Sequence, residues 1–199
     1  MCSVAALMAT MPGREKFRPR AVECFCAQVF PSDWQVQLLV DADPWITLGA
    51  KLNRMTAATT ADYLLIQDDD DWYSPFRIQR QIDPLVRGGY DYSGTSKIFY
   101  HNVDSGDGWI YQGVAKNWIG GMAWTRAIWD KVKFTDVTVG NDTIWQQEVQ
   151  QAKHGAKVFD LNDPALYIAT MHSGNCCPKV GLFKPTWTPA RLPEFPKIL

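Results

Sequence analysis

Short apolar runs alternate with amphipathic stretches through the first half of the chain. Ser3 to Thr10 is almost continuously apolar, the pattern of a strand buried on both faces, and Met11-Pro12-Gly13-Arg14 ends it in a turn. A helix is expected from about Phe17 to Gln28. Val36 to Val40 is a second strand-like run, closed by the turn signal Asp41-Ala42-Asp43-Pro44. Leu48, Leu52 and Met55 recur at i, i+4 and i+7, one face of a helix. Tyr63 to Ile66 is a third run, and it stops just before Asp68-Asp69-Asp70-Asp71. Ser74-Pro75 reads as a helix cap with proline in the first helical position. Ile78, Ile82 and Leu85 supply that helix's buried stripe, and Gly88-Gly89 ends it.

The second half is less regular. Tyr92 to Tyr100 and Trp109 to Val114 read as strands around the turn-rich segment 104–108, and Gly120-Gly121 interrupts the next apolar stretch. A helix is expected from Asp142 to about His154, with Trp145, Val149 and Ala152 on one face and Gly155 as its stop. Val158 to Leu161 and Leu166 to Thr170 are further strand candidates. The segment from Pro178 to Leu199 holds five of the 12 prolines and is expected to run extended. Strand and helix alternation in the first half predicts an α/β fold, a mostly parallel sheet flanked by helices, with a smaller irregular half. One domain over 1–199 is expected: a ligand-binding half at about 1–100, a second half at about 101–177 and a tail at 178–199.

Composition narrows the class. With 46% hydrophobic and 21% charged residues in 199, the chain is globular, and its net charge of -1 excludes a strongly basic nucleic-acid binder. No run approaches the roughly 20 apolar residues of a transmembrane helix. The first apolar run lacks a basic region before it, so it reads as a strand rather than a signal peptide. Five cysteines, an odd number, do not suggest a disulfide framework, and Cys24-x-Cys26 and Cys176-Cys177 lack zinc-finger spacing. These features together predict reduced thiols in a cytoplasmic protein.

The acidic run is the chemical oddity. Four consecutive carboxylates at the end of a strand repel one another, and ligands of open parallel sheets bind outside such strand ends. An oxygen-only donor set selects a hard divalent cation such as Mg or Mn. A solvated turn with no ligand is the plainer reading of a like-charge run, and the charges alone leave both open.

The stretch from Tyr63 through Asp68, Asp70 and Asp71 to Pro75 resembles the strand-to-helix turn of family 2 glycosyltransferases with the GT-A, Rossmann-like fold. Leu48-Gly-Ala-Lys-Leu-Asn-Arg54 resembles the family's basic segment before its helix. Val36 to Asp41 resembles the strand whose terminal Asp reads the nucleotide base. Gly140-Asn-Asp-Thr-Ile-Trp145 resembles the segment with the catalytic base, although Asn141 stands where the family has Glu. His172-Ser-Gly-Asn175 resembles the C-terminal segment whose His completes a metal site. The order and spacing hold from Ser3 to about Asn175.

That resemblance implies a metal-dependent enzyme that moves a sugar from a nucleoside diphosphate sugar, UDP-linked, to an acceptor hydroxyl with inversion. Asp142 is then the base; Asp70 and His172 hold Mn or Mg. Pro12, Arg14, Asp41, Lys51, Asp68 and Asp69 face the donor, although Asp69 and Asp71 alternate away from Asp70 and are equally open to a structural role. Asp71 is a candidate cap for the turn at Ser74. Trp118, Gly120, Gly121 and Asn141 belong to the acceptor side, and Trp72 and Trp118 are the expected surface aromatics for sugar stacking. A glycan, a lipid-linked carrier, a protein or a modified nucleobase is compatible as acceptor. A sugar-nucleotide-forming nucleotidyltransferase and a non-catalytic carbohydrate-binding module are the alternatives.

Overall fold

The computed structural model describes residues 1–112, 120–151, 153–175 and 187–190. In chain order the elements are β1 (Cys2–Ala9), α1 (Arg18–Cys26), β2 (Trp34–Asp41), α2 (Leu48–Ala57), β3 (Tyr63–Ile66), β4 (Trp72–Tyr73), α3 (Arg77–Gly88), β5 (Tyr92–Thr95) and β6 (Lys97–Asn102). They continue with β7 (Gly108–Gln112), β8 (Gly120–Thr125), α4 (Arg126–Lys131), α5 (Asn141–Val149), β9 (Val158–Asp160), β10 (Tyr167–Met171) and β11 (Trp187–Pro189).

Six strands form the main sheet in the order β2-β1-β3-β8-β5-β9. β1 runs parallel to β2 and β3, and β5 runs parallel to β9; β8 alone is antiparallel to its neighbours. The side chains of β1 explain its uninterrupted apolar pattern. Ala5 and Leu7 pack with Leu52 and Met55 of α2, Trp129 of α4 and Trp145 of α5. Val4 and Ala6 pack on the opposite face with Ile78, Ile82 and Leu85 of α3. Both faces are covered, as a parallel sheet requires.

The irregular half is a second sheet of five strands, β11-β7-β6-β10-β4. The chain crosses between the sheets several times, and its two shortest crossings are the β5–β6 step and the acidic run. The segment expected as one strand from Tyr92 to Tyr100 breaks after Thr95 and changes sheet. Thr95 Oγ1 donates to Lys97 O at 2.9 Å, and the Ser96 N–H donates to Asp160 Oδ1 at 2.8 Å, which turns the chain. The other connection is the acidic run, which leaves β3 in the main sheet and enters β4, paired with β10 in the second.

Three element boundaries differ from expectation. Ser74 does not cap α3: Phe76 is the N-cap residue without a side-chain cap bond. Ser74 instead continues the β4 edge, its N–H donating to Leu166 O and its carbonyl accepting from Gln28 Nε2. α5 begins at Asn141 rather than Asp142 and ends at Val149, short of the expected His154. The expected face residue Ala152 lies outside the described residues, as do Gly113, Val114 and most of the 178–199 tail.

Candidate functional site

The strand ends, the acidic run and β6 border one cleft of about 470 Å³. Its wall brings together Arg14, Lys51, Asp68 to Asp71, Gly120, Gly121, Asn141, Asp142 and Asn175. These residues lie up to about 160 positions apart in the chain, and the ends of β1, β3, β8 and β10 with α2 and the start of α5 deliver them to one place. A second hollow of about 580 Å³, between α3 and the β9 region, holds none of the candidate residues.

Each acidic residue has its own surroundings. Arg14 forms ion pairs with Asp69 at 2.6 Å and with Asp70. Asp69 is 1% exposed, and burial raises its carboxyl above the ordinary range; the Thr10 hydroxyl and Arg14 oppose that rise, and Asp70 adds to it. Asp70 Oδ2 also accepts from Asn175 Nδ2 at 3.0 Å and lies 3.0 Å from His172 Nε2. The Asp68 N–H donates to the Tyr73 hydroxyl at 2.7 Å. Asp71 does not cap the Ser74 turn: its Oδ1 accepts from the Thr170 N–H at 2.7 Å and ties the run to β10.

Sequence reasoning missed the cation beneath the run. Arg77 is fully buried, its guanidinium 4.0 Å from the centre of the Tyr73 ring. It donates to Ile66 O, to Gln67 Oε1 at 3.1 Å and to Gly121 O at 3.2 Å. One side chain thus holds the end of β3 and the glycine pair of β8. No motif signalled it, because arginine is ordinarily a surface residue.

The remaining candidates are placed as follows. Lys51 is 5% exposed and donates to Thr10 O from the wall of the cleft. Asp41 is outside the cleft wall, with both carboxylate oxygens on Arg54, at 2.6 and 2.8 Å. Burial works against its charge, but the Arg54 bonds outweigh it and hold the carboxyl below its ordinary range. Pro12 is exposed in the turn after β1 and is not part of the wall. Gly121 has a φ of +58°, and a Cβ on Gly120 would meet the Tyr167 hydroxyl and Ile98 at 2.5 Å. Asp142 sits in the first turn of α5, where its charge suits the helix dipole. It is not the helix cap; Gly140 takes that position with a φ of +77°. Asn141 is 3% exposed, and its Nδ2 is a buried donor without a hydrogen-bond partner.

Aromatic residues divide sharply. Trp124 and Trp145 are core residues at 0% and 1% exposure. Trp72 is partly buried against a third cluster, of Cys24, Tyr73, Ile98, Tyr167 and Ala169, rather than standing free, and Trp118 lies outside the described residues. Trp45, which no pattern singled out, is 90% exposed between two residues of the cleft wall, Pro44 and Ile46.

The donor chemistry suits a hard divalent cation. Asp69 Oδ2 is buried without a hydrogen-bond partner, and the neighbouring donors are carboxylate oxygens. Among the described residues no three His, Cys, Asp or Glu side chains converge as a ready cage. Arg14 supplies the positive charge beside the carboxylates.

A mostly parallel sheet with strand-end carboxylates, joined to a smaller sheet across a cleft, is the architecture of the GT-A glycosyltransferases. The chain matches glycosyl transferase family 2 over residues 19–139 and belongs to that family. A comparison with curated proteins gives no match. Among solved structures, Staphylococcus aureus TarS residues 1–349 in complex with UDP-GlcNAc superposes with a TM-score of 0.65 at 15% identity. That match covers 88% of this chain and 60% of the TarS fragment. The Pyrobaculum calidifontis mannosyltransferase PcManGT, in complex with GDP-Man and Mn2+, superposes at 0.62 and 11% identity, covering 84% of this chain and 56% of its own. The chain thus spans less than two thirds of these structures, and such identities speak for the fold alone. No helix among the described residues is long and apolar enough to cross a membrane.

Proposed function

We propose that the cleft binds a nucleoside diphosphate sugar, UDP-linked, and transfers its sugar to an acceptor hydroxyl with inversion. The observation that carries this reading is the convergence of Asp68 to Asp71, Arg14, Lys51 and Asp142 on one cleft wall. Asp70 is the carboxylate proposed to hold Mn or Mg, with Asp68 and Asp69 beside it. The cation, when bound, supplies positive charge for the diphosphate leaving group. Lys51 and Arg14 add cationic donors at the same wall, so negative charge developing on the leaving phosphate meets prearranged partners. Asp41, with Arg54 at the end of β2, is proposed to read the base, and Pro12 to shape the turn after β1.

On the acceptor side, the Asp142 carboxylate takes the hydroxyl proton while the acceptor oxygen bonds to the anomeric carbon. The bond from that carbon to the diphosphate breaks, and its electron pair leaves with the phosphate. One base and one displacement give inversion. The missing side chains of Gly120 and Gly121 make room for Tyr167 and Ile98 and do not themselves open space for the acceptor, and the unpartnered Asn141 amide offers the acceptor a donor.

A panel of UDP- and GDP-sugars tests the reading by thermal stabilisation and by release of nucleoside diphosphate, each with and without Mn2+. We expect one sugar nucleotide to raise the melting temperature and to be slowly hydrolysed in a Mn2+-dependent way. Asp70→Ala abolishes both effects. Asp142→Asn keeps the stabilisation and lowers turnover about 100-fold or more. Unaltered turnover in Asp142→Asn, or stabilisation by no sugar nucleotide, sinks the proposal.

A further inference from the structure

Three nitrogens gather at one oxygen of Asp70. Arg14 pairs with Oδ2, Asn175 Nδ2 donates to it at 3.0 Å, and His172 Nε2 stands 3.0 Å away. On the other side of the imidazole, the backbone N–H of Gly174 donates to His172 Nδ1 at 3.0 Å. A backbone amide can only donate, so Nδ1 is the acceptor and carries no proton. A neutral ring then has its proton on Nε2, aimed at Asp70. Coordination through Nε2 needs that nitrogen's lone pair. The proton would have to move to Nδ1 and face the Gly174 N–H.

The ring is also fastened against turning over. Phe17 stacks on it with centroids 4.2 Å apart and planes 29° from parallel. The His172 N–H donates to Asn175 Oδ1 at 2.7 Å, and Asn175 Nδ2 donates to Thr170 O at 3.1 Å as well as to Asp70. Turning the imidazole over would break the Gly174 bond, and tilting it out of plane would break the Phe17 stack.

We infer that His172 is a positioning residue: it donates Nε2–H to Asp70 Oδ2 and orients that carboxylate, and it does not coordinate the cation. The resemblance to family 2 implied a metal ligand at this position, and the Gly174 contact assigns the opposite role in this chain. The inference rests on the reading of Asp70 as the cation-binding carboxylate.

Nitrogen-15 NMR of the imidazoles reads the tautomer directly, with the His172 signals identified by their loss in His172→Gln. The metal-free protein is expected to carry the His172 proton on Nε2 and to keep it there in saturating Mg2+. A proton on Nδ1, or loss of the Nε2 proton on adding Mg2+, overturns the inference. Mn2+ affinity, followed by electron paramagnetic resonance of the free ion, supplies the second readout. His172→Ala weakens binding about tenfold, whereas His172→Gln, whose amide can still donate to Asp70, stays within about threefold of the parent. Equal losses in the two variants also overturn it. Asp70→Ala separates the two readings: unchanged Mn2+ affinity there removes Asp70 from the cation site, while the tautomer still decides the role of His172.

Discussion

Asp41 closes β2 and Asp69 follows β3, on opposite sides of β1, and their surroundings push them in opposite directions. Asp69 is buried beside another carboxylate, and its proton is held more tightly than usual. Asp41 faces the guanidinium of Arg54 with both oxygens, and its proton is held less tightly. A carboxyl whose folded pKa is depressed stabilises the fold above its unfolded pKa, and loses that contribution as pH falls through the folded value. Asp41 therefore contributes stability at neutral pH that fades from about pH 4 downward. Asp41→Asn should be less stable than the parent at pH 7 in urea unfolding. The gap should narrow on acidification below about pH 4; a gap that stays constant with pH contradicts the assignment.

At the scale of elements, α2 is fixed by its first turn. Thr47 caps it by accepting from the Ala50 N–H at 3.1 Å, and the Gly49 N–H donates to Val137 O at 3.0 Å. A Cβ on Gly49 would lie 1.9 Å from the Thr135 carbonyl oxygen, a backbone atom that cannot swing aside. Gly49→Ala, favourable for an isolated helix, should instead cost about 1–3 kcal/mol in chemical denaturation, the usual penalty of overpacking. No loss of stability would mean that the segment at 135–137 is not seated on the helix. The helix itself was legible from Leu48, Leu52 and Met55, because a buried stripe leaves a 3.6-residue period. Its contact with residues 135–137 was not, since a glycine in sequence does not reveal what lies above it. The sheet change at Thr95–Ser96 was hidden for a similar reason. Tyr92 to Tyr100 is a continuous strand pattern, and the break comes from the local Thr95–Lys97 bond and from a hydrogen bond to Asp160, more than 60 positions away.

At the scale of the whole molecule, the main sheet and the strand ends that border the candidate site were both readable. Apolar runs ending in Asp41 and Asp68 identify strand ends, and strand ends are where such sheets bind ligands. The polar partnerships within the site were not readable. Arg14 against Asp69 and Asp70, Arg77 beneath Tyr73, and Gly174 against His172 are set by tertiary placement that no local period records. The acidic run also proved to be a connection between two sheets, which its composition could not announce.

Trp45 gives the molecule a native optical reporter. Trp34, Trp124, Trp129 and Trp145 are shielded in the cores, whereas the Trp45 indole stands almost wholly in water beside the cleft. Iodide should quench its emission first, and a nucleotide sugar settling against Pro44 and Ile46 should protect it. Trp45→Phe should remove that protectable fraction of the fluorescence, so that occupancy of the cleft can be followed without attaching a dye.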